Sequence, residues 1–351
     1  MNRLQTKLEK IGRDAKITAK AVGLKYIADR SKGYFRIKEG DSFAFVDEQG
    51  NKVEDELLLQ RFKKLVIPPA YQNVWISLSE DTHLQFTGLD VKGRLQYRYH
   101  PEWNAIRNNS KFYRLRSFAL ALPAIRAQVA KDLNRKDLCY EKVIALVVSL
   151  IEQTNIRIGN EAYSKLYGSF GLTTLKDKHV KFAGDSVKFS FKGKKGVYHD
   201  ISLKSKKLAG LVKKCQDIPG RELFQYYDAE GKHHSIGSGD VNQYLKNITG
   251  EDFTAKDFRT WAGSVNALCA LKETGIFEKE SDCKKNASAA IDYVAKQLGN
   301  TRTVCKKYYI HPAVISAYES GRLHTYEIVE DEQTALNTDE KLLLMVLDSE
   351  K

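Results

Sequence analysis

The side chains that could do chemistry in this 351-residue chain are basic groups and tyrosines. The sequence contains no Walker loop, no zinc-ligand spacing, no G-x-S-x-G elbow and no cluster of paired metal-binding carboxylates. The glycines of Gly237–Asp240 precede a predicted helix for which Asp240 is an N-cap residue. His233 and His234 are adjacent, so they point in different directions and make a poor metal pair. We therefore expect a protein that works without a nucleotide or a metal ion.

Charge indicates what these basic groups act on. Lys and Arg number 57 against 44 Asp and Glu, which gives a formal net charge of +13. Residues 327–351 hold eight acids and two bases, a net charge of −6, so residues 1–326 carry +19. A basic body of this kind indicates a polyanionic partner such as nucleic acid. The acidic segment is expected to be a solvated tail.

Six ordered blocks of sequence resemble the motifs of type IB DNA topoisomerases. In the second half of the chain they are Thr154–Glu161 with Tyr167–His179, Phe191–His199, Lys256–Gly263, and Leu298–Thr301 with Lys307–Pro312. In the first half, Ile67–Tyr71 and Gly88–Tyr99 are similar to the first domain of the compact poxviral and bacterial branch. The resemblance covers residues 35–320, and the order of the motifs argues against a chance match.

The resemblance implies that a tyrosine oxygen attacks a DNA phosphodiester, which builds negative charge on the nonbridging oxygens of a five-coordinate phosphorus. Without a metal ion that charge needs fixed cations, and the matching arginines are Arg157 and Arg259. Guanidinium stays charged and holds phosphate oxygens in a planar fork. The matching nucleophile is Tyr309, with Tyr308 beside it. Consecutive residues on a helix point about 100° apart, so only one of them can face the phosphate.

The departing 5′-oxygen needs a proton, and the resemblance gives this general-acid role to Lys194 on a predicted hairpin turn. Lys195 is adjacent, and Lys194 is preferred only because it follows Gly193 as in the family pattern. A lysine suits this role if nearby arginines lower its pKa. Lys256, about one helical turn before Arg259, is expected to assist and to contact DNA.

Asn300 stands where viral and eukaryotic members of the family carry histidine. Its amide can donate one hydrogen bond to a nonbridging oxygen, but it brings no positive charge. Arg302 occupies a position where the family pattern has proline, and the sequence assigns it no role.

Further DNA contacts are expected from the strand that contains Gln96, Tyr97 and Tyr99. Tyr97 and Tyr99 share one face of that strand, as a groove-reading strand requires. An ordinary aromatic strand packed on its own core is the equal alternative.

Asn160 lies about one helical turn beyond Arg157, and Tyr163 nearly two turns beyond it. Both would contact DNA if a helix containing all three runs along the duplex. The alternative for both residues is a structural helix face.

The elements that must position these residues form an α+β fold of two main domains, since the length and the 42% hydrophobic content suit about two folded cores. The predicted parts are a helical surface arm (1–33), a small β-rich DNA-binding domain (34–104), a larger, mostly helical catalytic domain (105–326) and the acidic tail (327–351). Helical spacing covers 111–122, and a new helix begins with Pro123 in its first turn. Three strands at 180–182, 187–191 and 197–201 form an insert, and helices follow from 205 to 320. The resemblance implies that the two domains close as a C-shaped clamp around duplex DNA.

The five cysteines are widely spaced and include no C-x-x-C pair, which is typical of reduced cytosolic thiols. The N-terminus has no apolar signal core, and the longest apolar stretch, Val143–Ile151, is shorter than the roughly 20 residues of a membrane helix. We expect a monomer in the cytoplasm, associated with the nucleoid, with no membrane partner and no small-molecule cofactor.

The resemblance implies relaxation of supercoiled DNA through a transient 3′-phosphotyrosyl link and religation, without ATP or metal. A tyrosine site-specific recombinase is one alternative, since it uses the same phosphoryl chemistry. The Ile67–Tyr71 block, and Lys256 in place of the recombinase histidine, favour the topoisomerase. A non-catalytic basic DNA-binding protein of the same fold is the other alternative.

Overall fold

The computed structural model describes residues 11, 14–91, 93–327 and 335–349, apart from the side chains of residues 108, 109 and 111. The chain divides into two compact units, Met1–Arg114 and Leu115–Lys351, hereafter the first and second units. The α+β fold class is confirmed, because a small β-rich unit precedes a larger helical unit that contains a β insert.

The first unit is built on a five-stranded antiparallel sheet with the strand order β2-β1-β3-β4-β5. Its elements are α1 (Ala15–Ala21), β1 (Tyr34–Glu39), β2 (Ser42–Val46), α2 (Glu56–Lys64), β3 (Gln72–Ile76), β4 (Leu84–Leu89), β5 (Leu95–Tyr99) and α3 (Pro101–Tyr113). Gly40 begins the two-residue β1–β2 turn with the positive φ of +61° that such a hairpin needs. Phe62 of α2 packs with Val74 and Ile76 of β3 to form a small core.

The N-terminal segment is not an exposed helical arm where the structure describes it. Residues 1–10, 12 and 13 of the predicted arm lie outside the described residues. Ala19 of α1 and Leu24 after it are buried together with Trp103 of α3. This packing assigns α3 to the first unit, so the boundary lies after Arg114 rather than after residue 104.

The second unit is mostly helical and is built around α5. Its elements are α4 (Leu115–Leu133), α5 (Tyr140–Thr154), α6 (Glu161–Tyr167), β6 (Val180–Ala183), β7 (Ser186–Lys192), β8 (Tyr198–Lys204), α7 (Lys206–Gln216), β9 (Gln225–Tyr227), β10 (His233–Ser235), α8 (Ser238–Thr249), α9 (Ala255–Thr274), α10 (Glu280–Leu298), α11 (Arg302–Tyr308), α12 (Pro312–Glu319) and α13 (Thr338–Asp348). α5 is buried from Lys142 to Ile151 and contacts α4, α7, α8 and α9. Within the described ranges, every helix is too short or too polar to cross a membrane.

α4 continues through Pro123, although the sequence predicts a break and a new helix there. Proline has no N–H to donate to the carbonyl of Ala119, so one helical hydrogen bond is lost. Phe118, Leu122 and Ile125 on either side are fully buried in the core of the unit. Their burial outweighs the lost bond and keeps the helix continuous.

β6, β7 and β8 form the predicted three-stranded antiparallel insert. Phe191 pairs with His199 and Lys192 with Tyr198, so the turn between β7 and β8 is Gly193–Val197. The hairpin of β9 and β10 interrupts the region that the sequence predicts to be helical from 205 to 320. Its strands have three residues each, too few for an alternating pattern to be recognised.

The C-terminal segment is not a solvated tail over residues 338–348. Leu342 and Leu343 of α13 are buried, and α13 packs on α4, α9 and α12. Glu340 is only 4% exposed, and its carboxylate accepts hydrogen bonds from Arg126 at 2.7 and 2.9 Å. The apolar side chains of this segment, rather than its net charge, determine where it lies.

Candidate active site

Arg157 lies in the irregular segment between α5 and α6, not on a helix. α5 ends at Thr154, and the next residue, Asn155, has a left-handed backbone with a φ of +55°. The Arg157 carbonyl accepts a hydrogen bond from the backbone N–H of Leu172 at 2.9 Å. Its guanidinium Nη2 donates to Asn300 Oδ1 at 2.5 Å and to the Gly299 carbonyl at 3.4 Å. The loop that follows α10 therefore orients this arginine.

Arg259 is held inside the helical core and is only 4% exposed. Its Nη2 donates to the carbonyl of Leu298, the last residue of α10, at 2.8 Å, and its Nη1 donates to the carbonyl of Asn155 after α5. Carbonyls at the C-terminal ends of helices have no partner within their own helix. Arg259 thus joins the ends of α5 and α10. Burial lowers the pKa of this guanidinium to about 10, so it is still charged at neutral pH.

Tyr309 follows α11 directly, and its ring lies beside the buried arginine. The Cζ of Arg259 is 5.2 Å from the ring centroid. Burial raises the pKa of the phenol, but the charges of Arg259 and Arg157, a hydrogen bond from Arg259 and the charge of Lys256 together outweigh burial. The pKa therefore lies below its ordinary value of 10.0. A lower pKa increases the fraction of phenolate, which is the nucleophilic form.

Close packing against α9 positions the backbone of Tyr309. A Cβ at Gly263 would lie 2.4 Å from the Tyr309 carbonyl oxygen, so only glycine leaves room for it. Ser264 Oγ accepts a hydrogen bond from the backbone N–H of His311 at 2.9 Å. Gly263 lies one turn after Arg259, so α9 both carries the buried cation and sets the position of the tyrosine.

These groups line one cavity of about 730 Å³ within the second unit. All five residues predicted to be catalytic are in its wall, namely Arg157, Lys194, Arg259, Asn300 and Tyr309. Of the lining side chains that the structure describes, six are Lys or Arg and none is acidic. A concave site with this charge suits a phosphate group.

The structure leaves the choice between Lys194 and Lys195 open, because both are exposed turn residues and both line the cavity. Lys195 has a left-handed backbone with a φ of +62°.

Tyr308 and Tyr309 differ more clearly than the two lysines. The ring of Tyr308 lies 5.6 Å from Lys307 Nζ, whereas Tyr309 is the one that contacts Arg259.

Asn300 is oriented by Arg157, which donates to its Oδ1. Its Nδ2 is buried and has no hydrogen-bond acceptor among the residues that the structure describes. Arg302 forms an ion pair with Asp292 of α10 in which both side chains are about half exposed, so this arginine ties α11 to α10.

Two family models match successive parts of the sequence. Residues 100–336 match the family described as eukaryotic DNA topoisomerase I, catalytic core, and residues 42–90 match bacterial DNA topoisomerase IB, N-terminal domain. The chain belongs to the type IB DNA topoisomerases. The family resemblance of the sequence motifs is thereby confirmed.

Viral relatives extend over most of this topoisomerase. DNA topoisomerase 1B of Acanthamoeba polyphaga mimivirus is 30% identical over 297 residues, which cover 83% of this chain and 88% of the relative. DNA topoisomerase 1B of Vaccinia virus (strain Copenhagen) is 24% identical over 250 residues, which cover 70% and 75%. A solved post-cleavage complex of the XerH site-specific recombinase with palindromic difH overlaps 58% of this chain and 51% of its own, at 16% identity and a TM-score of 0.38.

The DNA-binding candidates of the first unit lie on β5 of the topoisomerase. The rings of Tyr97 and Tyr99 are stacked, with centroids 5.9 Å apart and planes 4° apart. Tyr97 is 49% exposed, whereas Tyr99 packs against His83. Gln96 Nε2 donates to Asp90 Oδ2 at 3.0 Å. Tyr97 is therefore the best placed of the three for a ligand, and Tyr99 belongs to a packed aromatic cluster.

The candidates Asn160 and Tyr163 do not share a helix with Arg157, so the helical spacing expected from the sequence is wrong. Asn160 is the N-cap of α6, and its Oδ1 accepts from the backbone N–H of Tyr163 at 3.1 Å. Tyr163 is 52% exposed, and α6 has no buried residue. A helix without a buried face leaves these side chains available for a partner.

His199 also belongs to the site, although it is not among the residues predicted from the sequence. Its ring lies against Gly193 and Gly299, and its pKa is lowered by burial and then by the charges of Arg157 and Arg259. One sequence signal was present. Alternation along β8 places His199 on the same inward face as Ile201 and Leu203.

Proposed function

We propose that this topoisomerase relaxes supercoiled duplex DNA through Tyr309, with no requirement for ATP or a metal ion. The observation that carries the proposal is the contact between the Tyr309 ring and the buried Arg259, in a cavity that Arg157 also lines. The two arginines favour the phenolate before DNA arrives and face the place where phosphate charge develops.

The proposed reaction is a reversible transfer of one phosphoryl group. The phenol of Tyr309 loses its proton to solvent, and its oxygen forms a bond to phosphorus while the bond from phosphorus to the 5′-oxygen breaks. Arg157, Arg259 and the Nδ2 of Asn300 hold the nonbridging oxygens. Lys194, or its neighbour Lys195, gives a proton to the departing 5′-oxygen. The products are a 3′-phosphotyrosyl link and a free 5′-hydroxyl.

The same groups serve religation in reverse. After the broken strand swivels, the 5′-hydroxyl returns its proton to the lysine and attacks phosphorus, and the tyrosine leaves. The covalent link conserves the energy of the phosphodiester bond, so no nucleotide is consumed. Superhelical strain in the DNA supplies the driving force.

Duplex DNA contacts in this proposal extend beyond the cavity. Lys256 and the exposed side chains of Asn160 and Tyr163 are the contacts offered by the second unit, and Gln96 and Tyr97 those of the first. We further propose that the protein acts as a monomer on nucleoid DNA in the cytoplasm.

Relaxation of a supercoiled plasmid by the purified protein in EDTA without ATP tests the proposal. We expect relaxed topoisomers from the wild type and a denaturant-resistant adduct on the 3′ end of the nicked strand. Tyr309→Phe should bind the same DNA yet form no adduct. Tyr308→Phe is the matched control and should retain both activities. If Tyr309→Phe still forms the adduct, or if only Tyr308→Phe fails to form it, then the nucleophile is a residue other than Tyr309.

A further inference from the structure

The imidazole of His199 fills the space between two backbone segments that precede candidate catalytic residues. A Cβ at Gly193 would lie 2.6 Å from His199 Cδ2, and a Cβ at Gly299 would lie 2.4 Å from Cε1. Both distances are too short for real carbon atoms, so the ring occupies the space that a side chain at either position would need. Lys194 follows the first glycine and Asn300 follows the second.

The orientation of this ring is set by the hairpin that carries the lysines. His199 and Phe191 are paired in the β7–β8 register, and their rings stack with centroids 5.2 Å apart and planes 21° apart. The backbone N–H of Gly193 donates to the carbonyl of Val197 at 2.7 Å and closes the turn. The imidazole therefore belongs to the same closed hairpin as the turn.

The other side of the ring meets the loop that orients Arg157. The Gly299 carbonyl and the Asn300 Oδ1 both accept hydrogen bonds from Arg157 Nη2. Burial, and then the charges of Arg157 and Arg259, lower the pKa of His199, so the ring is neutral at pH 7. A neutral imidazole here adds bulk and shape to the site without a further positive charge.

We propose that His199 is a positioning residue that holds the lysine-bearing turn Gly193–Val197 at a fixed distance from the loop Gly299–Asn300. This inference rests on the proposed function, because it concerns proton delivery to the 5′-oxygen. The turn lysines are exposed, and the ring contact joins their backbone to the loop that orients Arg157. Loss of the ring leaves both arginines and Tyr309 in place but misplaces the proton donor.

Single-turnover cleavage of a DNA duplex with either an ordinary phosphodiester or a 5′-bridging phosphorothiolate at the cleavage site tests this role. A thiolate leaves without protonation, since thiol pKa values lie near 8.5. We expect His199→Ala to cleave the phosphodiester about 10- to 100-fold more slowly than the wild type, and to cleave the phosphorothiolate at nearly the wild-type rate. Ser202→Ala, an exposed position on the opposite face of β8, is the control and should match the wild type on both substrates.

Gly193→Ala gives an independent test, because its backbone φ of −95° allows any residue and only the His199 ring obstructs the new methyl group. This variant should be slowed selectively on the phosphodiester. The double variant Gly193→Ala/His199→Ala should cleave the phosphodiester almost as fast as His199→Ala alone, since the obstructing ring is gone.

Two results would overturn the inference. One is wild-type cleavage of the phosphodiester by His199→Ala, and the other is an equal slowing of that variant on both substrates. Failure of the proposed function looks different, because then the wild type itself forms no adduct with either substrate.

Discussion

Arg259 and Lys194 line the same cavity, yet one is enclosed by the helical core and the other stands on an exposed turn. The guanidinium of Arg259 joins the carbonyl ends of α5 and α10, so its position is set by the packing of three helices. The backbone of Lys194 is held by a short hairpin and by the His199 ring next to Gly193. One cation is buried and bonded to two carbonyls, and the other is exposed to solvent.

The difference suits the two tasks proposed for these residues. Charge that stabilises a transition state is most effective when it is already in place, because no reorganisation is then needed during the reaction. A proton donor must instead approach an oxygen that moves as the bond breaks. Substitution of the buried arginine should therefore lower both the stability and the cleavage rate. Substitution of the turn lysine should lower the cleavage rate and leave the stability unchanged.

The largest effect is expected at Arg259. Arg259→Ala removes charge from the transition state and leaves the carbonyls of Asn155 and Leu298 unpaired. We expect cleavage to slow by about 10³-fold and the free energy of unfolding to fall by about 1–3 kcal/mol. Single-turnover adduct formation and urea unfolding measure the two quantities. Arg259→Lys keeps the charge but not the planar fork, so it should recover little. Wild-type cleavage by that variant would show that charge alone suffices.

The buried carboxylate of Glu340 extends the rigid region, because it accepts hydrogen bonds from Arg126 of α4 and, at 3.0 Å, from Trp261 Nε1 of α9. Glu340→Gln leaves Arg126 without its most buried partner and should lower the free energy of unfolding by about 3 kcal/mol. Glu152→Gln removes the second, more exposed partner of Arg126 and should cost less than about 1 kcal/mol. Equal losses would mean that burial does not distinguish the two pairs.

The pH dependence of this effect has a definite sign. Burial raises the pKa of the Glu340 carboxyl, but its bonds to Arg126 and Trp261 outweigh burial and hold the pKa below its ordinary value of 4.5. A carboxyl of this kind adds stability above its unfolded pKa and loses it as the pH falls through the folded pKa. The difference in unfolding free energy between wild type and Glu340→Gln should therefore be full at pH 7 and shrink below about pH 4. If the difference in unfolding free energy is as large at pH 3 as at pH 7, it comes from packing and not from the charge of the Glu340 carboxylate.

The smallest effect on stability is expected at the turn. Lys194→Ala should slow cleavage of a phosphodiester by about 10²-fold or more while the free energy of unfolding stays within about 0.5 kcal/mol of the wild type. Lys195→Ala is the matched control, with the same exposure and an adjacent position. If Lys195→Ala is the slower variant, the general acid is Lys195. If neither variant is slowed, the contrast between buried arginine and turn lysine fails.

Local patterns predicted much of this protein. Alternation predicted the β insert, and the ordered motifs predicted the family. The same local reasoning failed where a distant contact decides the outcome. Arg157 has helical neighbours in sequence, yet α5 ends at Thr154, because Asn155 after it turns left-handed and its carbonyl accepts a hydrogen bond from Arg259. Pro123 is locally a helix start, yet the core on both sides keeps α4 continuous.

By itself, the sequence determined the charge, the types of reactive side chain and their order along the chain, since these depend only on residue identity and spacing. The tertiary structure alone decided which of those side chains meet. α13 is buried despite its acidic composition because α4, α9 and α12 offer it an apolar surface. Arg157 bonds Asn300, and the His199 ring lies against Gly299, because α10 ends where the β7–β8 hairpin closes. The bond from Arg157 to Asn300 joins residues 143 positions apart, and no local pattern contains such a contact.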